Sequence, residues 1–125
     1  MANKNYQLGL LHLVHLLIGA DGVIDHHEQQ ALLRIRENEL INEETFAQFQ
    51  QTALTKKERE IYRQGIALIN ECSDEEKMNA FVHLYKLTEA DGKVHVREVR
   101  LLLYSTKLTG VEFNDVIERA RAFEY

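Results

Sequence analysis

The sequence predicts an all-α protein of about seven helices, one domain folded as a pseudo-twofold bundle of two related halves. Three observations carry that expectation. The 125 residues contain no proline and only six glycines, as expected of a chain that is helix nearly throughout. Apolar residues recur every three to four positions along most of the length. Finally, Ala20-Asp21-Gly22-Val23-Ile24-Asp25-His26-His27-Glu28 returns 70 residues later as Ala90-Asp91-Gly92-Lys93-Val94-His95-Val96-Arg97-Glu98.

After a short tail over Met1 to Asn5, Leu8, Leu10, Leu11, Leu13, Val14, Leu16, Leu17 and Ile18 make a helix apolar on nearly every side. Such a helix belongs in the centre. Its polar stripe, His12, His15 and Gly19, leads to the Asp21-Gly22 turn, where glycine suits a positive φ. Asp25 opens the next helix with Glu28 three residues on, a capping-box-like spacing, and Ala31, Leu32, Leu33 and Ile35 supply its buried face. Asn42 with Glu43 and Glu44 reads as a further start, anchored by Phe46 and Phe49.

Thr55-Lys56-Lys57-Glu58 is a capping box that opens a connecting helix over about 56–71. Ser73-Asp74-Glu75-Glu76 is another and begins the second half, with Met78, Phe81, Val82, Leu84, Tyr85 and Leu87 turned inward. Val96 to Leu108 follows with Val99, Leu102 and Leu103 inward, Gly110 stops it, and Val111 to Phe123 carries Phe113, Val116, Ile117 and Ala120. The halves span about 5–54 and 73–125. The pairs Leu11/Phe81, Val14/Leu84, Leu17/Leu87, Leu32/Leu102 and Leu33/Leu103 keep their apolar character across the offset.

Composition narrows the function. With 45% hydrophobic and 28% charged residues the chain can bury one core, and a net charge of −5 argues against a nucleic-acid partner, which needs clustered Lys and Arg. Cys72 stands alone, so an internal disulfide and a CxxC metal site are both excluded, in keeping with a reducing cytoplasm. The apolar run Leu8 to Ala20 is shorter than the roughly 20 residues of a membrane span. His12 and His15 interrupt it, and its counterpart Met78 to Ala90 lies mid-chain, where no signal peptide sits. The expectation is a soluble cytoplasmic protein without direct membrane insertion.

The chemistry common to both halves is acidic. Asp-Gly-x-(Ile/Val)-x-x-x-Glu is the second half of an EF-hand loop, but the first half is missing: Leu17 and Gly19, or Leu87 and Glu89, stand where entering oxygens belong. A looser site for a divalent cation, calcium or magnesium, would use Asp21, Asp25 and Glu28 in one turn and Asp91 and Glu98, with His95, in the other. The same carboxylates could instead close the turns and cap the following helices without any ion. Both readings stand at this point. If a cation binds, the first turn is the better site, because it has Asp25 in place of His95 and Val23 in place of the cationic Lys93.

His12, His15, His26 and His27 could be imagined around a transition metal, but none recurs at the offset, and a solvated stripe is the plainer reading of them. Acidic neighbours around Cys72 discourage a thiolate. No Ser-His-Asp order, phosphate-cradling glycine loop or HExxH helix is present, so the chain reads as a binding protein and not an enzyme.

The doubled Ala-Asp-Gly-x-(Ile/Val)-x-x-x-Glu, each copy preceded by an apolar helix such as Leu10-Leu11-His12-Leu13-Val14-His15-Leu16-Leu17, resembles the TerB family of tellurite-resistance proteins. It is similar also to the N-terminal domain of the membrane-tethered co-chaperone DjlA. The resemblance covers nearly the whole chain. It implies a helical bundle of two related halves in a cytoplasmic bacterial protein, acting in stress or tellurite response through a protein partner or a metal, with Asp21, Glu28, Asp91 and Glu98 as the positions carried over. The competing expectation is an EF-hand-like calcium sensor.

Overall fold

The structure, a computed structural model, describes residues 4–18, 26–89 and 96–122, and of His27 and Glu28 the backbone alone. Seven helices are present among these residues and no strand: α1 (Lys4–Ile18), α2 (His26–Asn38), α3 (Glu43–Leu54), α4 (Glu58–Asn70), α5 (Asp74–Thr88), α6 (Val96–Thr109) and α7 (Phe113–Ala122). The duplication is visible in the helix bounds. Helix α5 begins and ends 70 residues after α1, and α6 and α7 begin 70 residues after α2 and α3. Helix α4 has no counterpart.

The core forms where apolar faces of six helices meet. Leu10, Leu13, Val14 and Leu17 of α1 pack with Ile69 of α4, Phe81, Leu84 and Leu87 of α5, Ile35 of α2, Leu102 of α6 and Val116 of α7. Leu17 and Leu87, equivalent across the offset, are 1% and 2% exposed. A smaller cluster of Leu11, Ile41 and Phe49 seats α3. Helices α1 and α4 lie close because two glycines face the partner helix: a Cβ on Gly65 would stand 2.9 Å from the Cβ of His12, and one on Gly9 the same distance from Ile69.

Of the three helix-start caps expected among the described residues, two form. Asn42 Oδ1 accepts the Thr45 N–H at 2.7 Å, and Ser73 and Glu76 exchange both bonds of a capping box. The box expected at Thr55 does not form. Two further residues of turn close the end of α3, where the Thr55 hydroxyl donates to the Thr52 carbonyl at 3.0 Å, so α4 starts at Glu58 behind Lys57, which makes no side-chain cap. Helices α2 and α6 end in the same 6→1 bond, Ile41 N–H to Arg36 O and Val111 N–H to Thr106 O, each 2.9 Å. The left-handed residue in that turn is Gly110 (φ 75°) in one half and Leu40 (φ 56°) in the other.

One facing is the reverse of what periodicity predicts. Leu33 and Leu103 are 52% and 46% exposed, not inward. Helix α6 buries Glu98, Ser105, Thr106 and Thr109 alongside Leu102, and the hydroxyls of Thr106 and Thr109 donate to their own helix at the Leu103 and Ser105 carbonyls. A hydroxyl satisfied this way can be buried at small cost, so polar residues occupy the inner face.

Candidate functional site

The two acidic segments lie in sequence between α1 and α2 and between α5 and α6, and the helix ends on either side of them are described. Each turn leaves a helix C-terminus, whose last carbonyls carry partial negative charge, and enters a helix N-terminus, whose first amides carry partial positive charge. Ile18 and Thr88 at the exits are buried, and the Thr88 hydroxyl donates to the Tyr85 carbonyl at 2.6 Å. Glu28 and Glu98 are each the third residue of the helix entered.

Of the expected ligands, Asp21, Asp25 and Asp91, with His95, lie outside the described residues, as does the side chain of Glu28. Glu98 is described and is only 3% exposed. A carboxylate so deeply placed requires donors, a cation or a proton to offset its lost hydration. Helix N-terminal amides can supply the first, an ion the second. Among the described residues, no group of three or more His, Cys, Asp and Glu side chains is arranged to hold a metal.

The histidines form the solvated stripe read from the sequence only in part. His15 is exposed, but His12 is buried, with Nδ1 2.6 Å from the Leu8 carbonyl and its ring edge-on to Phe49 at 4.9 Å. Burial pushes the His12 imidazole toward its neutral form. Cys72 is buried as well. Burial first, then Glu76 and Glu71, raise its thiol above the ordinary range, so it is a poor nucleophile.

A buried polar cluster escaped the sequence. His83 Nε2 lies 3.1 Å from Glu39 Oε1, joining α5 to the turn after α2, and the Tyr6 hydroxyl of α1 is buried near the same carboxylate without a hydrogen bond of standard geometry. Burial works to raise the Glu39 carboxyl, yet His83 and the nearby Tyr6 outweigh it and hold the group below the ordinary carboxylate range. Burial chiefly, with Glu39 beside it, drives the Tyr6 phenol well above its usual range. The signal available was a histidine on the most apolar face of α5; its partner, 44 residues away, carries no motif.

Three clefts of the described surface stand out. A slot of ≈ 170 Å³ between α1, α2 and α3 is lined by Val14, Ile18, Leu32, Phe46 and Phe49, and a cleft of ≈ 300 Å³ by Tyr62 and Arg97. The third, ≈ 510 Å³, runs beside α6 and the start of α7.

Comparison with known proteins adds one family and one fold. The family model described as "Tellurite resistance protein TerB" matches residues 7–122. The chain is similar in structure to a Porphyromonas gingivalis W83 protein of unknown function, with a TM-score of 0.70 over 98% of both chains at 17% identity. At that identity the likeness concerns the fold. No curated protein matches.

Proposed function

The chain belongs to the TerB family, and from that premise we propose that it is a non-catalytic binding scaffold in bacterial stress or tellurite response, holding a divalent cation at its acidic turns. Calcium or magnesium suits the all-oxygen donors Asp21, Asp25, Glu28, Asp91 and Glu98. The observation that carries this reading is Glu98, a carboxylate 3% exposed in the first turn of α6, seven residues after Asp91 and at the equivalent of Glu28. Its working place is the cytoplasm, and its counterpart is a protein and not a nucleic acid, given the net charge of −5. No helix of the described residues is long and apolar enough to cross a membrane.

An EF-hand-like calcium sensor is the weaker form of the same idea. The first loop position of such a site falls on Leu17 and Leu87, which are 1% and 2% exposed and belong to the core.

The test compares thermal unfolding of the protein with its Glu28→Gln, Glu98→Gln double variant, in millimolar calcium or magnesium and in chelator. A bound cation adds RT ln(1 + [L]/Kd), about 2.7 kcal/mol at a hundredfold excess over Kd, to the unaltered protein alone. Amide signals of residues 20–28 are expected to move at lower cation concentration than those of 90–98. Equal destabilisation of the double variant with and without chelator refutes the metal reading and leaves capping as the role of these carboxylates.

A further inference from the structure

Helix α6 is turned inside out relative to an ordinary surface helix. Its buried side holds Glu98, Ser105, Thr106 and Thr109 beside Leu102, while Val96, Leu103, Tyr104 and Leu108 are 67%, 46%, 65% and 58% exposed. Four of the seven large hydrophobic side chains exposed among the described residues therefore sit on one helix. The fold itself does not require most of them. Helix α2 holds the equivalent place; Leu33 matches Leu103 and is likewise exposed, but the residues at the offset from Arg100, Tyr104, Lys107 and Leu108 are Gln30, Arg34, Glu37 and Asn38, all polar.

The charge on this face is as distinctive as its apolarity. The exposed charged residues of α6 are Arg97, Arg100 and Lys107, all basic, on a chain whose net charge is −5. Among the described residues none of the three is in an ion pair. Arg100, Leu103, Tyr104, Lys107 and Leu108 fall at i, i+3, i+4, i+7 and i+8, one continuous stripe. Arg100, Leu103, Tyr104 and Lys107 of the stripe line the ≈ 510 Å³ groove together with Val111 and one acidic residue, Glu112, so basic groups outnumber acidic ones there two to one.

We infer that this face docks an acidic amphipathic helix of a partner protein. Leu103, Tyr104 and Val111 provide the apolar floor that receives its anchors, in the helix-in-groove manner, Leu108 extends the apolar surface beyond it, and Arg100 and Lys107 draw in its flanking carboxylates. Basic flanks specify the sign of the partner, and the apolar side chains between them call for one with an apolar face. The inference goes beyond the cation reading and shares none of its residues other than the helix on which Glu98 sits.

The probe is a synthetic helical peptide of roughly 18 residues, five turns, carrying Leu at i, i+4 and i+7 with Glu on either side. A scrambled peptide and one with Lys for each Glu accompany it, each titrated into the full chain with amide shifts as readout. The expected result is that the Glu peptide moves signals of residues 96–111 and binds at least tenfold more tightly than either control, the margin over the Lys peptide shrinking as salt screens the charges. Arg100→Glu with Lys107→Glu should invert that preference, and Tyr104→Ala with Leu108→Ala should weaken binding tenfold or more; all four positions are exposed, so helicity by circular dichroism should hold. Equal binding of the scrambled peptide, or shifts elsewhere on the chain, overturns the inference. So does binding to phosphatidylserine vesicles in the absence of peptide binding, which would make the face a membrane contact. A concentration-dependent dimer abolished by Leu103→Lys would assign it to a second copy of the chain.

Discussion

Replacing Gly65 with alanine should weaken the protein, although helix propensity alone says the opposite. Within a helix the change from glycine to alanine gains roughly 0.8–1.0 kcal/mol. The new Cβ, however, would stand 2.9 Å from the His12 Cβ and 3.3 Å from Leu13 Cδ2, where carbon contacts prefer about 3.5–4.0 Å. The nearest atom is the root of a side chain and cannot rotate away, so α1 and α4 must separate by roughly 0.6–1 Å, and overpacking of that kind costs about 1–3 kcal/mol. The net expectation is a loss of up to about 2 kcal/mol, read as a lowered urea midpoint by circular dichroism with an unchanged slope. Gly9→Ala is the comparison. Its nearest contacts at 2.9 Å are Cδ1 and Cγ1 of Ile69, and adding Ile69→Val removes the first of them, so its loss should shrink in the double variant. A raised midpoint for Gly65→Ala would show that the helices do not cross as closely as these distances require.

Two more predictions follow from the turn after α2. The Glu39 carboxyl is held below its unfolded value, so the unfolded chain binds the extra proton as pH falls; the stability this supplies is present above about pH 4.5 and is lost as pH drops through the folded value. The urea midpoint of the protein should therefore fall more steeply between pH 6 and pH 3 than that of Glu39→Gln, and parallel slopes would remove Glu39 from the account. Leu40, 75% exposed at φ 56°, sits where the other half has Gly110, so Leu40→Gly should raise stability by about 0.5–1 kcal/mol in the same assay. A destabilised variant would mean that the leucine side chain is held by contacts worth more than the left-handed strain.

The parts of this fold that could be read from the sequence are those written within a few neighbouring residues. Ser73 and Glu76 cap α5 and Gly110 ends α6 on local spacing alone, and Leu17 and Leu87 enter the core as the offset pairing of two apolar helices predicts. Thr55 failed for a local reason too: a capping pattern does not say whether the preceding helix will use the same hydroxyl first. The facing of α6 was illegible because apolar periodicity assumes that polar residues avoid burial, and threonines bonded to their own backbone escape that rule. Glu39 and His83 meet only once the chain has folded, across 44 residues. As for the acidic turns, their doubling pointed to Glu98, whose burial gives the site physical weight; the pattern by itself could not separate an ion's ligand from a cap.

The glycine crossing of α1 and α4 also sets a timetable for the nascent chain. Gly9 meets Ile69, 60 residues later in synthesis, and no copy of α4 exists nearer to hand. At roughly 5–20 residues per second, α1 leaves the ribosome some 3–12 s before its closest neighbour is made. During that interval the most apolar helix of the protein has only α2 and α3 for shelter, and a chain caught there offers Leu10, Leu13 and Leu17 to whatever chaperone or neighbouring chain arrives first.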